Sequence, residues 1–361
     1  MIRTFIILMI SGMGVKCLGQ PAQDTTKTAS FAIYPAFGYQ PETRAQVGAI
    51  AIWVFDKPTN DTAQFQRPTS ISPFFLYTFR NQVISAMDGE IFFKNGLNLN
   101  AVIRYFNFPD NYYGLGNDND PDSLEQYTNR FLQFQGQLLK PLNQNVFVGA
   151  TFEIQHNWLR ELEPEGRIVN EQINGLDGGL IFGLGPSFRF DSRNNTIYPT
   201  KGILASGEIL LTQIGDYSYV NYTIDFRKFI SIKNEKNVLG FQFFSVLTSG
   251  SDVPFYKLPQ LGGDERLRGI ENASLYRDKQ SMYLQTEYRR DLFWRIGMVA
   301  FAGVGDVARN VGDFRVDEFK YVFGLGGRFA AVKDQKLNIR ADFGLARGGQ
   351  TAIYIGLREV F

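Results

Sequence analysis

Residues 337–346, which read LNIRADFGLA, alternate between apolar side chains and polar or small ones. The apolar set is Leu337, Ile339, Ala341, Phe343 and Leu345, and the other set is Asn338, Arg340, Asp342, Gly344 and Ala346. Successive side chains of a β-strand point to opposite faces of the sheet. The stretch therefore predicts a strand with one apolar face and one polar face.

The same two-residue period recurs along most of the chain and predicts about sixteen strands. We place them at 31–39, 46–55, 71–80, 82–93, 97–108, 127–140, 145–158, 178–191, 202–213, 217–230, 237–249, 281–291, 294–305, 318–331, 336–346 and 350–361. A soluble sandwich also alternates, but many of these strands reach the roughly 9–11 residues that a tilted membrane-spanning strand needs. We therefore predict an all-β fold, a transmembrane antiparallel β-barrel with apolar side chains outside and polar side chains inside.

Loop lengths give independent support, because outer-membrane barrels combine short periplasmic turns with longer outside loops. The short connections are 94–96, 141–144, 233–236 and 332–335, and the long ones are 109–126, 159–176, 250–280 and 306–317. Residues 56–70 would be an unusually long periplasmic turn, which makes the first strands the least regular part of the prediction.

The N-terminus predicts export from the cytoplasm. Arg3 precedes an apolar stretch of about a dozen residues, which is typical of a signal peptide and too short for a membrane-spanning helix. We expect residues 1–19 to be the signal peptide, 20–30 a short periplasmic segment and 31–361 the barrel. In an alternative reading, Cys17, the only cysteine, is lipidated, although Lys16 puts a charge where small apolar residues are usual.

Composition argues against several classes of function. A net charge of +1 gives no indication of a nucleic-acid partner. His156 is the only histidine, and its parity puts it on the outward face near the outer rim, so we expect no histidine-based catalysis. Residues 118–122 resemble a calcium loop only loosely. We expect no enzyme activity, no metal and no cofactor.

Residues 258–270, LPQLGGDERLRGI, resemble the sixth outside loop of the BamA/TamA family of bacterial surface antigen barrels. In that family a hydrophobic-Arg-Gly-hydrophobic tip folds back into the lumen. The tip here is Leu267, Arg268, Gly269 and Ile270. The resemblance extends to the glycine-rich strand 301–307 and to a turn motif carried by Asp191, Arg193, Pro199 and Gly202.

An arginine returned into a barrel needs a carboxylate, because a desolvated guanidinium without a partner is costly and arginine pairs with carboxylates in a bidentate manner. Glu287 lies on the inward parity of the strand after the loop and is the preferred partner of Arg268. Asp306 has the opposite parity and is a second candidate only if its strand ends or bulges there. Alternatively, the loop is solvated and Arg268 pairs with Asp264 or Glu265.

The final strand resembles the signal that the assembly machinery of outer-membrane proteins reads. Its elements are Tyr354, Gly356 and Phe361. By parity Phe361 belongs with the outward-facing apolar residues. It is therefore also interpretable as an ordinary aromatic residue at the membrane interface.

The resemblance implies a role in outer-membrane protein assembly or translocation through a lateral seam between the strands 31–39 and 350–361. Pro35, Gly38 and Pro41 weaken the first strand, since proline donates no ladder hydrogen bond and glycine packs no side chain. Family members usually carry POTRA domains before the barrel, and residues 20–30 leave no room for one. The expected partners are outer-membrane lipids, with client outer-membrane proteins or assembly-machinery subunits as further candidates. The alternative is a passive pore or structural barrel plugged by loop 250–280.

Overall fold

The computed structural model describes residues 29–40, 43–55, 69–93, 96–196, 198–332 and 337–361. The predicted signal peptide, Cys17, Pro41, the segment 56–68 and the turn residues 94–95 and 333–336 lie outside the described residues.

Sixteen antiparallel strands form a closed barrel in which each strand pairs with its neighbours in sequence and β1 pairs with β16. The strands are β1 Ala29–Gln40, β2 Arg44–Phe55, β3 Thr69–Thr78, β4 Val83–Phe92, β5 Asn98–Tyr112, β6 Glu125–Pro141, β7 Val146–Arg160, β8 Gly179–Asp191, β9 Gly202–Gly215, β10 Ser218–Ser231, β11 Asn237–Asp252, β12 Gln280–Phe293, β13 Ile296–Ala308, β14 Lys320–Val332, β15 Leu337–Ala346 and β16 Thr351–Leu357. The predicted fold class is confirmed.

Each of the sixteen predicted strands overlaps one observed strand. At the end of the chain, β16 stops at Leu357 instead of continuing to Phe361. Arg358 has a φ of 65°, a left-handed conformation that a continuing strand does not tolerate. The chain therefore leaves the barrel wall at this residue.

The outward face of the barrel is a belt of exposed apolar side chains. Such a surface is unfavourable in water and suits contact with hydrocarbon. Examples from around the barrel are Phe75, Leu132, Leu184, Leu284, Phe323 and Ile353. His156 lies on this outward face, with its ring stacked on Trp158 at a centroid distance of 4.3 Å.

The expectation of a polar interior holds only in part for the first strands, where inward polar residues such as Asp88 and Arg104 lie on the same face as an apolar cluster. A cluster of inward side chains on β1 and β3–β6 is apolar and buried. Its members are Ala36, Leu76, Ile84, Phe106 and Phe108, with Phe74 and Phe131 packed against them. Alternation assigns residues to two faces, but it does not by itself say that one face must be polar.

The long loops 113–124, 161–178, 253–279 and 309–319 lie at one end of the barrel, and most connections at the other end are short turns. The long-loop end includes one α-helical turn, Arg167–Asn170, and 3-10 turns at Phe255–Lys257, Ala273–Leu275, Val311–Asp313, Val316–Glu318 and Arg347–Gly349. In the described part of the chain, no helix has the length and apolar character needed to cross a membrane.

Candidate functional site

The loop between β11 and β12 folds into the lumen. Leu261, Leu267 and Ile270 are fully buried there, and they pack against inward side chains of β12, β13 and β14. The tip turns sharply, since Leu267 has a φ of 49° and Gly269 a φ of 129°. The second value is accessible only to glycine without strain, which explains the residue type beside Arg268.

Arg268 is buried between two carboxylates, and we call Arg268, Glu287 and Asp342 the arginine lock. Its guanidinium donates to Glu287 and, at 2.6 Å, to Asp342 Oδ2. It also lies 3.9 Å from the centre of the Phe301 ring, within the range of a cation–π contact. The side chain of Arg268 is 1% exposed, so the loop is docked and not solvated.

Asp306, the second candidate partner, lies elsewhere. Its carboxylate accepts from Lys320 Nζ at 2.9 Å and from the Asn117 side chain at 3.2 Å. It therefore neutralises a lysine near the long-loop end instead of Arg268. Among the alternatives within the loop, Asp264 binds Arg340 of β15.

Asp342 is the residue that sequence reasoning missed. It accepts from Arg328 at 2.5 Å and from Arg340 at 2.9 Å, besides Arg268, so three guanidinium groups share one carboxylate. The alternation of β15 had placed Asp342 on the inward face. A search for inward carboxylates on all strands, instead of the strand next to the loop, would have included it.

Close packing of the loop requires glycines in the wall. A Cβ at Gly303 or Gly305 would meet the Leu267 side chain, and a Cβ at Gly344 would meet the backbone of Arg268 and Gly269. Gly324 and Gly326 make room for Phe301 and Asp342 instead of the loop itself. The glycines therefore set the distance at which the arginine reaches its carboxylates.

Tyr354 connects the final strand to the loop. Its hydroxyl donates to the Ile270 carbonyl at 3.0 Å and accepts from the Gly269 N–H at 3.5 Å. Gly356 is buried on the same inward face of β16 and pairs with Arg340 of β15. Two elements of the predicted terminal signal thus line the lumen beside the lock.

The turn motif lies at the short-turn end, between β8 and β9. Arg193 pairs with Asp191 at 2.8 Å, Pro199 is buried, and Gly202 has a φ of 107° where β9 begins. The buried hydroxyl of Tyr198 donates to Asp291 of β12 at 3.3 Å. Burial raises the pKa of Tyr198, with the nearby Glu359 and Asp291 acting in the same direction.

Arg358–Phe361, which we call the inner segment, turns into the lumen at this end. The sequence placed Phe361 with the outward-facing residues. That placement is wrong, because the turn at Arg358 directs Glu359 and Phe361 inwards. Phe361 packs with Phe229 and Val238, and its main-chain oxygen accepts from Arg289 Nη2 at 2.5 Å.

Glu359 anchors the middle of the inner segment. Its carboxylate accepts from Arg328 Nε at 2.8 Å and from the Asn338 amide at 2.9 Å. Burial would raise the pKa of Glu359, but the adjacent Arg328 and Arg289 guanidinium groups outweigh this and hold the pKa below its usual range. The carboxylate is therefore charged at neutral pH.

Two chains of ion pairs connect the loop to the inner segment. In one, Glu287 bridges Arg268 and Arg289, which holds Phe361. In the other, Asp342 bridges Arg268 and Arg328, which holds Glu359. The docked loop and the docked inner segment thus share both carboxylates of the lock.

The seam between β1 and β16 has far fewer paired residues than its neighbours. Among the described residues a single pair joins the two strands, Tyr39 with Ile355. By comparison, seven pairs join β15 to β16 and twelve join β1 to β2. In the described strands, backbone groups of β1 beyond this pair have no ladder partner on β16.

The lumen beside β1–β4 is open. A cavity of about 900 Å³ lies between these strands, β5–β11 and the loop. The side formed by β1–β4 is mainly apolar but also carries Asp88 and Glu90, and most charged residues of the lining belong to later strands. The apolar lining includes Tyr34, Ile50, Ile52, Phe74 and Leu76, and the charged lining includes Glu153, Arg189, Glu208, Asp225, Arg227 and Lys257.

The architecture and the sequence together identify the family. A family model described as the Omp85 superfamily domain matches residues 78–346. The chain belongs to the Omp85 superfamily. This membership places the Omp85 barrel in the bacterial outer membrane. No curated protein sequence matches the chain significantly.

Two solved structures share the fold of this Omp85 barrel. BamA from Haemophilus ducreyi lacking POTRA domains 1-3 aligns with a TM-score of 0.64 at 16% identity, covering 92% of this chain and 70% of that one. CdiB from Acinetobacter baumannii aligns with a TM-score of 0.60 at 11% identity, again over 92% of this chain but 60% of its own length. At these identities the likeness shows the barrel fold.

Proposed function

We propose that this Omp85 barrel assists the insertion or translocation of outer-membrane proteins through the seam between β1 and β16, without covalent chemistry. Membership of the superfamily and the fold shared with BamA and CdiB support the general role. The single residue pair at the seam is the observation that supports the route. An unpaired strand edge offers hydrogen-bond donors and acceptors to an incoming strand.

The inner segment supports the same proposal. Tyr39 and Ile355 fix the register, so a straight continuation of β16 would place Arg358–Phe361 opposite Ile33–Ala36. Those β1 residues face no β16 partner while the inner segment is docked in the lumen. The edge formed by the four residues Ile33–Ala36 is therefore available to a client strand.

A disulfide across the seam tests the proposal. Tyr39→Cys and Ile355→Cys, in a Cys17→Ser background, would join the register partners and keep the seam closed. We expect the cross-linked protein in vesicles to lose its effect on the insertion rate of a urea-unfolded barrel protein, followed by heat-modifiable mobility, and to regain it after reduction.

A matched pair controls for the cross-link itself. Val47→Cys and Tyr77→Cys join outward-facing register partners of β2 and β3, away from the seam. Oxidation of this control pair should leave the insertion rate of the client barrel unchanged. An unaltered rate after oxidation of the seam pair would overturn the gated seam.

A passive or structural barrel is the second candidate, and the loop that fills part of the lumen favours it. In that case deletion of residues 258–276 should raise planar-bilayer conductance sharply. Depletion of the protein in its host should then leave the inventory of other outer-membrane proteins unchanged, whereas the first proposal expects that inventory to shrink.

A further inference from the structure

The inner segment occupies a socket at the short-turn end of the lumen. We define the socket as Phe229, Val238, Arg289, Arg328 and Asn338, which come from five strands, β10, β11, β12, β14 and β15. Phe229 and Val238 enclose the Phe361 ring. Arg289 binds the main-chain oxygen of Phe361, and Arg328 and Asn338 bind the carboxylate of Glu359.

The socket is held in shape by residues outside the inner segment. Glu287 fixes Arg289 at 2.9 Å, and Asp342 fixes Arg328 at 2.5 Å. Both arginines are at least 95% buried and still have a nitrogen, Nη1 of Arg289 and Nη2 of Arg328, that makes no hydrogen bond among the described residues. Buried donors without an acceptor are costly, so the socket retains capacity for oxygen atoms of a ligand.

Aromatic groups surround the Arg289 guanidinium on several sides. It lies 5.4 Å from the ring centres of Phe229 and Phe361 and 5.8 Å from that of Tyr198. An aromatic side chain from the ligand therefore adds both apolar contact and a cation–π interaction. The socket selects an aromatic residue together with a carboxylate two positions before it.

Socket and seam compete for the same four residues. In the register set by Tyr39 and Ile355, Arg358–Phe361 would leave the lumen and pair with Ile33–Ala36 if β16 extended. Extension of β16 would empty the socket. The socket is therefore a site whose occupant the barrel can exchange.

We propose that the socket binds a segment of a client polypeptide in which an acidic residue precedes an aromatic residue by two positions, and that Glu359 and Phe361 occupy it in cis. Residues two apart lie on the same face of an extended strand, so one strand presents both groups together. The site lies at the end of the barrel that is periplasmic in the predicted orientation. The identity of the ligand as a client rests on the proposed function.

Peptide binding in trans tests the socket. The full chain carrying Glu359→Gln and Phe361→Ala, refolded in detergent, has a weakened internal occupant. A fluorescein-labelled peptide with the sequence of residues 356–361, GLREVF, should bind this variant saturably by fluorescence anisotropy and at least tenfold more tightly than it binds the unsubstituted chain. Two substituted versions of this peptide, one carrying Glu359→Gln and one carrying Phe361→Ala, should each bind the variant at least tenfold more weakly than the unsubstituted peptide does.

Two asparagines provide a matched pair of further variants. Asn338→Ala removes a donor to the socket carboxylate and should weaken peptide binding about tenfold. Asn100→Ala changes a residue of the open cavity and should leave binding unchanged. The proposal is overturned if the peptide does not bind a variant whose heat-modifiable mobility shows that it is folded. It is also overturned if binding is the same for the two substituted peptides, or if Asn100→Ala weakens binding and Asn338→Ala does not.

The outcome is separable from that of the seam experiment. Peptide binding is measured without membrane insertion of any client. A socket that binds the peptide in a protein without insertion activity would reject the proposed function and keep the socket. Insertion activity without peptide binding would reject the socket alone.

Discussion

Strands β12–β16 and strands β1–β5 face the same lumen, but their inward side chains differ in kind. The locked half, which we define as the inward face of β12–β16 with loop residues 258–276, is filled by charged groups whose carboxylates are shared among arginines. The open half, the inward face of β1–β5, contains a buried apolar cluster with a few charged residues and borders a cavity of about 900 Å³.

The difference indicates that the side chains of the locked half are more strictly constrained than those of the open half. Buried ion pairs depend on geometry, because removal of one partner leaves an uncompensated charge. An apolar wall beside a cavity makes no such demand on its neighbours. The seam between β1 and β16 is the line where the two halves meet, and a single residue pair joins the described strands there.

The largest expected effect is in the locked half. Asp342→Asn removes the charge shared by Arg268, Arg328 and Arg340, and should lower the free energy of unfolding by about 3–5 kcal/mol. Urea titration of the protein in vesicles, followed by tryptophan fluorescence, measures it. Asp88→Asn is the control in the open half, since Asp88 makes no hydrogen bond or ion pair among the described residues, and should change stability by less than about 0.5 kcal/mol. Equal effects of the two substitutions would remove the distinction between the halves.

Removal of the lock's own cation should have the next largest effect. Arg268→Ala leaves Glu287 and Asp342 paired with other arginines, so we expect the loss of about 2–3 kcal/mol of loop docking. This corresponds to roughly 30- to 150-fold faster proteolysis within residues 258–276. Arg266→Ala, two residues earlier in the same loop, should change the rate much less. Unchanged protease resistance and heat-modifiable mobility in Arg268→Ala would show that the lock does not hold the loop.

Glycine substitutions test how tightly the loop packs against the barrel wall. Gly303→Ala would press a methyl group into Leu267 and should destabilise the barrel by about 1–3 kcal/mol. Gly89→Ala is the control on the outward face of β4, where only the Ala101 carbonyl lies nearby, at 3.8 Å, and should be close to neutral. The same urea titration measures both variants. A neutral Gly303→Ala would mean that the loop shifts freely away from the wall.

The smallest expected effect is a pH dependence of the inner segment. The pKa of Glu359 is lowered in the folded protein, so the docking that its charge stabilises is complete above the ordinary pKa of 4.5 and is lost as the pH falls through the lower folded value. The protection of residues 358–361 from hydrogen exchange, measured relative to a free peptide, should decrease below pH 4.5. Glu359→Gln should abolish the dependence, and its persistence in that variant would assign it to another group.

The sequence determined the features that depend on local alternation. The two-residue period predicts sixteen strands and the closed barrel, and it places Glu287 and Asp342 on the inward face, because side-chain direction along a strand follows from parity alone. The loop motif indicated that Arg268 enters the lumen. These inferences need no knowledge of which strands lie opposite one another.

Only the tertiary structure decided what the inward groups meet. Asp342 reaches Arg268 across 74 residues of sequence, a proximity that barrel closure and loop folding create together. Phe361 lies inside because one left-handed residue, Arg358, reverses the parity after it, and non-glycine residues give no clear sequence signal for that conformation. The apolar cluster inside β1 and β3–β6 likewise depends on neighbouring strands that bury each other's inward side chains, a condition that no single strand contains.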